Sequence, residues 1–115
     1  MTAKHLILSY WHSWQKLDFA EMRSYLADFV EIGGQQMPAD AFVESCIGGV
    51  RVGEVRLVDS VFGDDGGAIA YEGIDARSGA GVKVFEIVHV WCGKIVGVHG
   101  VLVANGRELR GELAA

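Results

Sequence analysis

Residues 82–103 are the stretch that most constrains how this chain can fold. Two arms rich in β-branched and aromatic residues flank Cys92-Gly93, which predicts two long antiparallel strands joined by a tight turn. Both arms are apolar at odd and even positions, whereas a strand with one face in water alternates apolar and polar residues. We therefore expect both faces to be covered, one by helices and the other by a partner subunit.

The rest of the chain predicts helices first and strands after them. Apolar residues at helical or alternating spacing, separated by turn signals, predict helices over residues 3–17, 18–28 and 39–47 and strands over 29–32, 51–62 and 68–76. The second helix begins with a capping-box variant, Asp18 followed by Glu21. This order predicts a single α+β domain over 1–115, a cone-shaped curved antiparallel sheet with three N-terminal helices on its concave face. A blind cone of this kind binds small molecules.

Composition excludes several classes of partner. The formal net charge is −5 and Lys and Arg form no cluster, so we expect neither nucleic acid nor a membrane as a partner. The apolar run near the N-terminus is too short to span a membrane and no cleavage site follows it, which favours a cytoplasmic location. Cys46 and Cys92 lack metal-site spacing, so we expect reduced thiols and no metal. Nucleotide-binding motifs are absent from the sequence, and no cofactor is expected.

Two segments resemble a known superfamily. They are Tyr10-x3-Trp14-x3-Asp18 leading to Tyr25-Leu26-Ala27-Asp28, and the strand that ends in Gly93-Lys94-Ile95-Val96. With this order of elements, the chain resembles the nuclear transport factor 2-like superfamily in its SnoaL-like and ketosteroid isomerase-like branch. The resemblance covers nearly the whole chain. Its motifs are specific for the fold rather than the chemistry, because this fold carries enzymes, ligand binders and interaction modules.

The resemblance to ketosteroid isomerase also implies roles for individual residues. Tyr10 matches the tyrosine of that family's oxyanion hole, and Glu86 lies near the position of its second oxyanion-hole acid. The general-base aspartate falls at Gly33 or Gly34. Since proton abstraction needs a base within reach, we do not expect ketosteroid isomerase activity itself.

Glu86 is the most informative candidate residue because it stands among apolar neighbours in the central strand, where a carboxylate needs a partner. A two-residue turn at Cys92-Gly93 places His99 opposite Glu86, whereas a three-residue turn places Val98 there. The first register gives a carboxylate–imidazole pair, suited either to acid–base catalysis or to a buried structural contact. Asp59, on an apolar strand face, is a further candidate.

These observations predict a homodimer, formed through the outer sheet face, that binds a small, mostly apolar or carbonyl-bearing molecule. If the protein is catalytic, we expect a cofactor-free isomerase, cyclase or dehydratase, in which Tyr10 donates to an oxyanion and Glu86 moves protons with His99 or Asp59. The predicted ligand-binding residues are Trp14, Tyr71, Val30, Ile32 and Val88. The alternative is a non-catalytic dimeric module of the same fold that binds a ligand or a protein.

Overall fold

The computed structural model describes residues 1–48, 52–75, 78–104 and 107–108. Its helices are α1 (Ala3–Gln15), α2 (Phe19–Ser24) and α3 (Ala39–Gly48). Its strands are β1 (Leu26–Ile32), β2 (Gln35–Pro38), β3 (Val52–Gly63), β4 (Gly66–Asp75), β5 (Gly81–Trp91), β6 (Lys94–Ala104) and β7 (Arg107–Glu108). The longest of these helices has 13 residues, too few to cross a bilayer.

The predicted α+β order of three helices followed by long strands is confirmed. Asp18 caps α2 as predicted, since its Oδ1 accepts a hydrogen bond from the Glu21 backbone N–H at 3.1 Å. The α2 helix ends earlier than predicted because Leu26 already pairs with Ile95 of β6. Strand β2 was not expected from its polar sequence. Residues 51 and 76, predicted as strand ends, lie outside the described residues.

The strands form one open, curved sheet in the order β2-β1-β6-β5-β4-β3, with β7 also paired to β6. The pairing of β1 with β6 is parallel and the other pairings are antiparallel. Helix α1 packs on β3, β4 and β6, while α3 packs on β1 and β2. All three helices therefore cover the same face, which we call the inner face of the sheet.

Strand β5 shows how the two faces differ. Its alternate residues Val82, Val84, Glu86 and Val88 are buried, and the residues between them are exposed. Burying one aliphatic side chain of this kind stabilises a fold by about 1.5–3 kcal/mol, so the inner face fixes the position of the strand. The alternation places the Glu86 carboxylate in the interior, under the helices.

The turn between β5 and β6 has two residues, Cys92 and Gly93, which is the first of the two alternatives that the sequence left open. Cys92 and Gly93 have φ values of 51° and 74°, as a type I′ turn requires, and Val90 pairs with Ile95. A β-bulge then adds one residue to β6 at Val96, so that His89 pairs with Gly97. Beyond this point Glu86 pairs with Gly100, one residue further along β6 than His99 and two further than Val98, so neither predicted register is formed there.

Candidate functional site

Glu86 is a buried carboxylate without a partner. Its side chain is 5% exposed, and its neighbours across the sheet are Ile69 of β4 and Gly100 of β6. Neither offers a polar side chain, and no hydrogen bond or ion pair within the described ranges reaches this carboxylate. Burial raises the pKa of Glu86 to about 7. The protonated and ionised forms are therefore both populated near neutral pH.

Two buried tyrosines share the interior with Glu86. Tyr10 comes from α1, and Tyr71 comes from β4, where it lies diagonally across the strand pair from Glu86. Burial raises the pKa of both phenols, and the charge of Glu86 raises them further. Both hydroxyls therefore stay protonated at physiological pH and are available to donate a hydrogen bond. Cys46 of α3 is near enough to both phenols to contribute to the same rise.

Tryptophans of α1 hold the Tyr71 ring. The ring centroids of Trp11 and Trp14 lie 5.6 Å and 5.8 Å from that of Tyr71, in tilted arrangements that favour aromatic contact. Trp14, a predicted ligand-binding residue, is half-buried at this position. Trp11 is absent from the predicted set, although the spacing of the buried residues Ile7, Tyr10 and Trp11 on α1 places it on the inner face.

The predicted apolar lining residues lie in the core. Val30, Ile32 and Val88 are all buried and belong to the cluster that includes Tyr10 and Tyr71. Val88 is two residues from Glu86 on the same face of β5, while Val30 and Ile32 come from β1. The inner face is thus largely hydrocarbon around one carboxyl group and two phenols.

His99 does not lie with Glu86. Because of the bulge at Val96, His99 pairs with Ile87 and Glu86 pairs with Gly100. Residues paired directly across strands share a face, so the exposed His99 lies with Ile87 on the outer face. The predicted carboxylate–imidazole pair is therefore not formed.

A second bulge turns Asp59 outward. Leu57 pairs with Tyr71 on the inner face, but the extra residue at Val58 leaves Asp59 paired with Ala70. Ala70 in turn pairs with Phe85 of the exposed outer face. The candidate catalytic residues are thus divided, with Tyr10 and Glu86 inside and the two others outside.

Asp59 and His99 line a groove on the outer face. Its volume is about 420 Å³, and the residues that line it are mainly apolar and include Val61, Phe85 and Ile87. Glu86 of β5 also lines the groove, although its side chain is among the buried residues of that strand. The size is within the range of small-molecule sites, but the groove lies across the sheet from the buried phenols.

Gly33 and Gly34, where the resemblance places a general base, form the turn between β1 and β2. Their φ values are 58° and 90°, a backbone conformation that glycine adopts without strain. The turn conformation therefore explains why glycine occupies the position, which supplies no side chain for proton transfer. In the part of the chain that the structure describes, no three His, Cys, Asp or Glu side chains group as potential metal ligands.

Comparison with known proteins gives matches at the level of structure. No protein-family model and no curated protein matches the sequence. A SnoaL-like polyketide cyclase from Agrobacterium tumefaciens is 14% identical, with TM-score 0.77 over 89% of this chain and 91% of that one. A candidate ketosteroid isomerase from Kribbella flavida is 10% identical, with TM-score 0.74 over 85% of this chain and 75% of that one. An NTF2-like protein of unknown function from Mesorhizobium loti is 18% identical, with TM-score 0.71 over 85% of this chain and 88% of that one.

Proposed function

We propose that this chain, which has the nuclear transport factor 2-like fold, binds a small, mostly apolar, carbonyl-bearing molecule on the inner face of its sheet and converts it by cofactor-free acid–base chemistry. The main support for the proposal is the buried Glu86 carboxyl group. It has no hydrogen-bond or ion-pair partner in the described residues, and it lies near two buried phenols. An unpaired buried carboxylate is costly for a fold, and perturbed acids of this kind concentrate at functional sites.

The chemistry follows from the protonation states of the three groups. Ionised Glu86 takes a proton from a carbon beside the carbonyl group, and the electron pair of that C–H bond moves to the carbonyl oxygen. Tyr10 and Tyr71, which remain protonated, donate hydrogen bonds to the resulting oxyanion. Glu86 then returns the proton to another atom of the same molecule. A pKa near 7 suits a group that must both accept and release a proton.

A single proton-transfer group limits the reaction class. Asp59 and His99 are exposed on the outer face, so we assign the proton transfer to Glu86, the buried carboxyl group among the described residues. Isomerisation, ring closure and loss of water after enolisation can each proceed with one shuttled proton. The Glu86 carboxyl group thus replaces the base that the resemblance would place at the Gly33-Gly34 turn.

Hydrogen–deuterium exchange into 2-tetralone, followed by NMR, tests the enolisation step without knowledge of the natural substrate. We expect the wild-type protein to accelerate exchange of the protons beside the carbonyl group. Glu86→Gln should lower this rate by about 10²–10⁴-fold, the usual contribution of general acid–base catalysis. The matched control Glu44→Gln removes an exposed carboxylate from α3 and should keep the wild-type rate.

Two results of this assay would contradict the proposal. The first is exchange that Glu86→Gln leaves unchanged, and the second is an equal loss in Glu44→Gln. Binding of 2-tetralone without acceleration of exchange would favour the alternative, a ligand-binding module of the same fold. The apolar side chains of Val30, Ile32 and Val88 around the carboxyl group support that alternative.

We further propose that a second copy of the chain covers the outer face of the sheet. Phe85 and Ile87 of β5 are 51% and 49% exposed there, and Val61 of β3 lies beside them in the same groove. Contiguous apolar surface of this kind favours a protein interface. Pairing two identical faces would bury these side chains and leave the inner face of each protomer free for its ligand.

A further inference from the structure

Trp11 of α1 carries an enclosed N–H group without a partner. Its side chain is 5% exposed, and within the described residues its Nε1 is the enclosed side-chain nitrogen or oxygen atom that has no hydrogen-bond partner. Buried tryptophans usually place this N–H against an acceptor, because an unpaired donor loses its hydrogen bonds to water and gains none in return. An acceptor supplied from outside the chain would remove this cost.

The position of Trp11 connects it to the proposed site. Its ring packs on Tyr71, at 5.6 Å between centroids, and Tyr71 lies diagonally from Glu86 on the inner face. Tyr10 directly precedes Trp11 in α1. Burial raises the pKa of Tyr10, and the charge of Glu86 raises it further, so the two side chains are close. The indole ring that carries the unpaired donor therefore packs against the region that contains the carboxyl group and the two phenols.

We propose that Trp11 is a ligand-binding residue whose Nε1–H donates a hydrogen bond to a second acceptor oxygen of the molecule held at Glu86. The inference rests on the proposed function and narrows its ligand class. An indole N–H can only donate, so its partner atom must be an acceptor. No lysine or arginine is buried between residues 1 and 103 wherever the structure describes the side chains, so this oxygen is one of a neutral group such as a carbonyl. The ligand is accordingly an apolar molecule with two separated, uncharged acceptor oxygens.

Matched naphthalene probes test this assignment by isothermal titration calorimetry. One probe is 2,6-diacetylnaphthalene, and the other is 2-acetyl-6-isopropylnaphthalene, which has nearly the same shape but lacks the second oxygen. We expect the wild-type protein to bind the first about five-fold more tightly, the usual net value of one hydrogen bond. Trp11→Phe, which keeps an aromatic ring but loses the N–H, should abolish this preference. The control Trp91→Phe alters an exposed tryptophan and should retain it.

A second measurement uses the wild-type protein alone, so it does not depend on the folding of a variant. The Trp11 Nε1–H resonance should shift on addition of 2,6-diacetylnaphthalene and remain in place with the isopropyl probe. In the absence of probe, Trp11→Phe should melt at or above the wild-type temperature, because it removes an unpaired donor.

These measurements distinguish failure of the Trp11 assignment from failure of the proposed ligand site. If both probes bind with equal affinity to the wild type, or if Trp11→Phe keeps the five-fold preference, the Trp11 assignment is overturned and the proposed site stands. A lower melting temperature for Trp11→Phe together with an unshifted resonance would show that the N–H has a structural partner, which also overturns it. If neither probe binds the wild-type protein, both the assignment and the proposed apolar ligand site are contradicted.

Discussion

At the scale of single residues, Glu86 links stability to chemistry. Its carboxyl group is buried between Ile69 and Gly100, and within the described ranges it gains no hydrogen bond or ion pair to offset the loss of water. The raised pKa is the direct result, since burial penalises the charged form. The same property that makes this residue suitable for proton transfer therefore makes it costly for the fold above neutral pH.

Glu86→Gln should accordingly change how stability depends on pH. The pKa of Glu86 is about 7 in the folded protein and 4.5 ordinarily, so between these values the folded state keeps a proton that the unfolded state releases. Stability contributed by this group is thus lost as pH rises from about 4.5 to 7, by roughly 3 kcal/mol in total. Chemical denaturation from pH 4 to pH 8 should show that the free energy of unfolding of Glu86→Gln rises relative to that of the wild type over this pH range. Parallel curves for the two proteins would contradict the assignment.

The difference between what could and could not be predicted from sequence is clearest in the strands and helices. Helical spacing in α1 predicts that Tyr10 and Trp14 lie on one side, and the two-residue period of any strand predicts that Glu86 and Val88 share a face of β5. The outward positions of Asp59 and His99 were not predictable from these patterns, because each follows a bulge.

The bulged residues themselves explain the error. Val58 and Val96 are β-branched apolar residues of the kind that suits a regular strand, so neither marks a bulge in the sequence. The positions of the bulges are determined by the pairing of β3 with β4 and of β6 with β5. A one-residue shift reverses the face of every residue beyond it, and it moved two of the four predicted catalytic residues across the sheet.

The β5–β6 turn provides a test at the same scale. Gly93 has φ 74°, while open space surrounds the position where a Cβ would lie, so Gly93→Ala should destabilise through backbone strain alone. We expect a loss of about 1–2 kcal/mol in the free energy of unfolding, measured in urea. Gly48→Ala, in α3 and equally uncrowded, is the control and should be neutral or slightly stabilising. Equal effects of the two substitutions would show that the turn does not require glycine.

For the whole molecule, the two faces of one sheet divide the proposed roles. The inner face contains the Glu86 carboxyl group, the two phenols and the tryptophan side chains of α1. The outer face presents exposed apolar side chains and a groove. The proposed second copy would cover the outer face while leaving the inner site unchanged. Asp59 and His99, both in the outer groove, would then belong to the region between subunits.

Ile87→Lys tests this arrangement by placing a charge at the centre of the outer face. Light scattering should give the mass of a dimer for the wild type and of a monomer for the variant, because burying an unpaired ammonium group in an interface is costly. Leu17→Lys, an exposed apolar residue away from the sheet, should remain dimeric. A wild-type monomer would contradict the proposal, as would a dimeric Ile87→Lys variant.

Glu86 should titrate near neutral pH inside an apolar site, and a carboxyl ¹³C NMR titration measures the pKa of this group. The Glu86 resonance can be assigned by its absence in Glu86→Gln, and its chemical shift followed from pH 3 to pH 9 reports the pKa of that group alone. We predict a midpoint of about 7. A midpoint near 4.5 would show that the carboxylate is hydrated or paired, and would contradict both the buried site and the chemistry assigned to it.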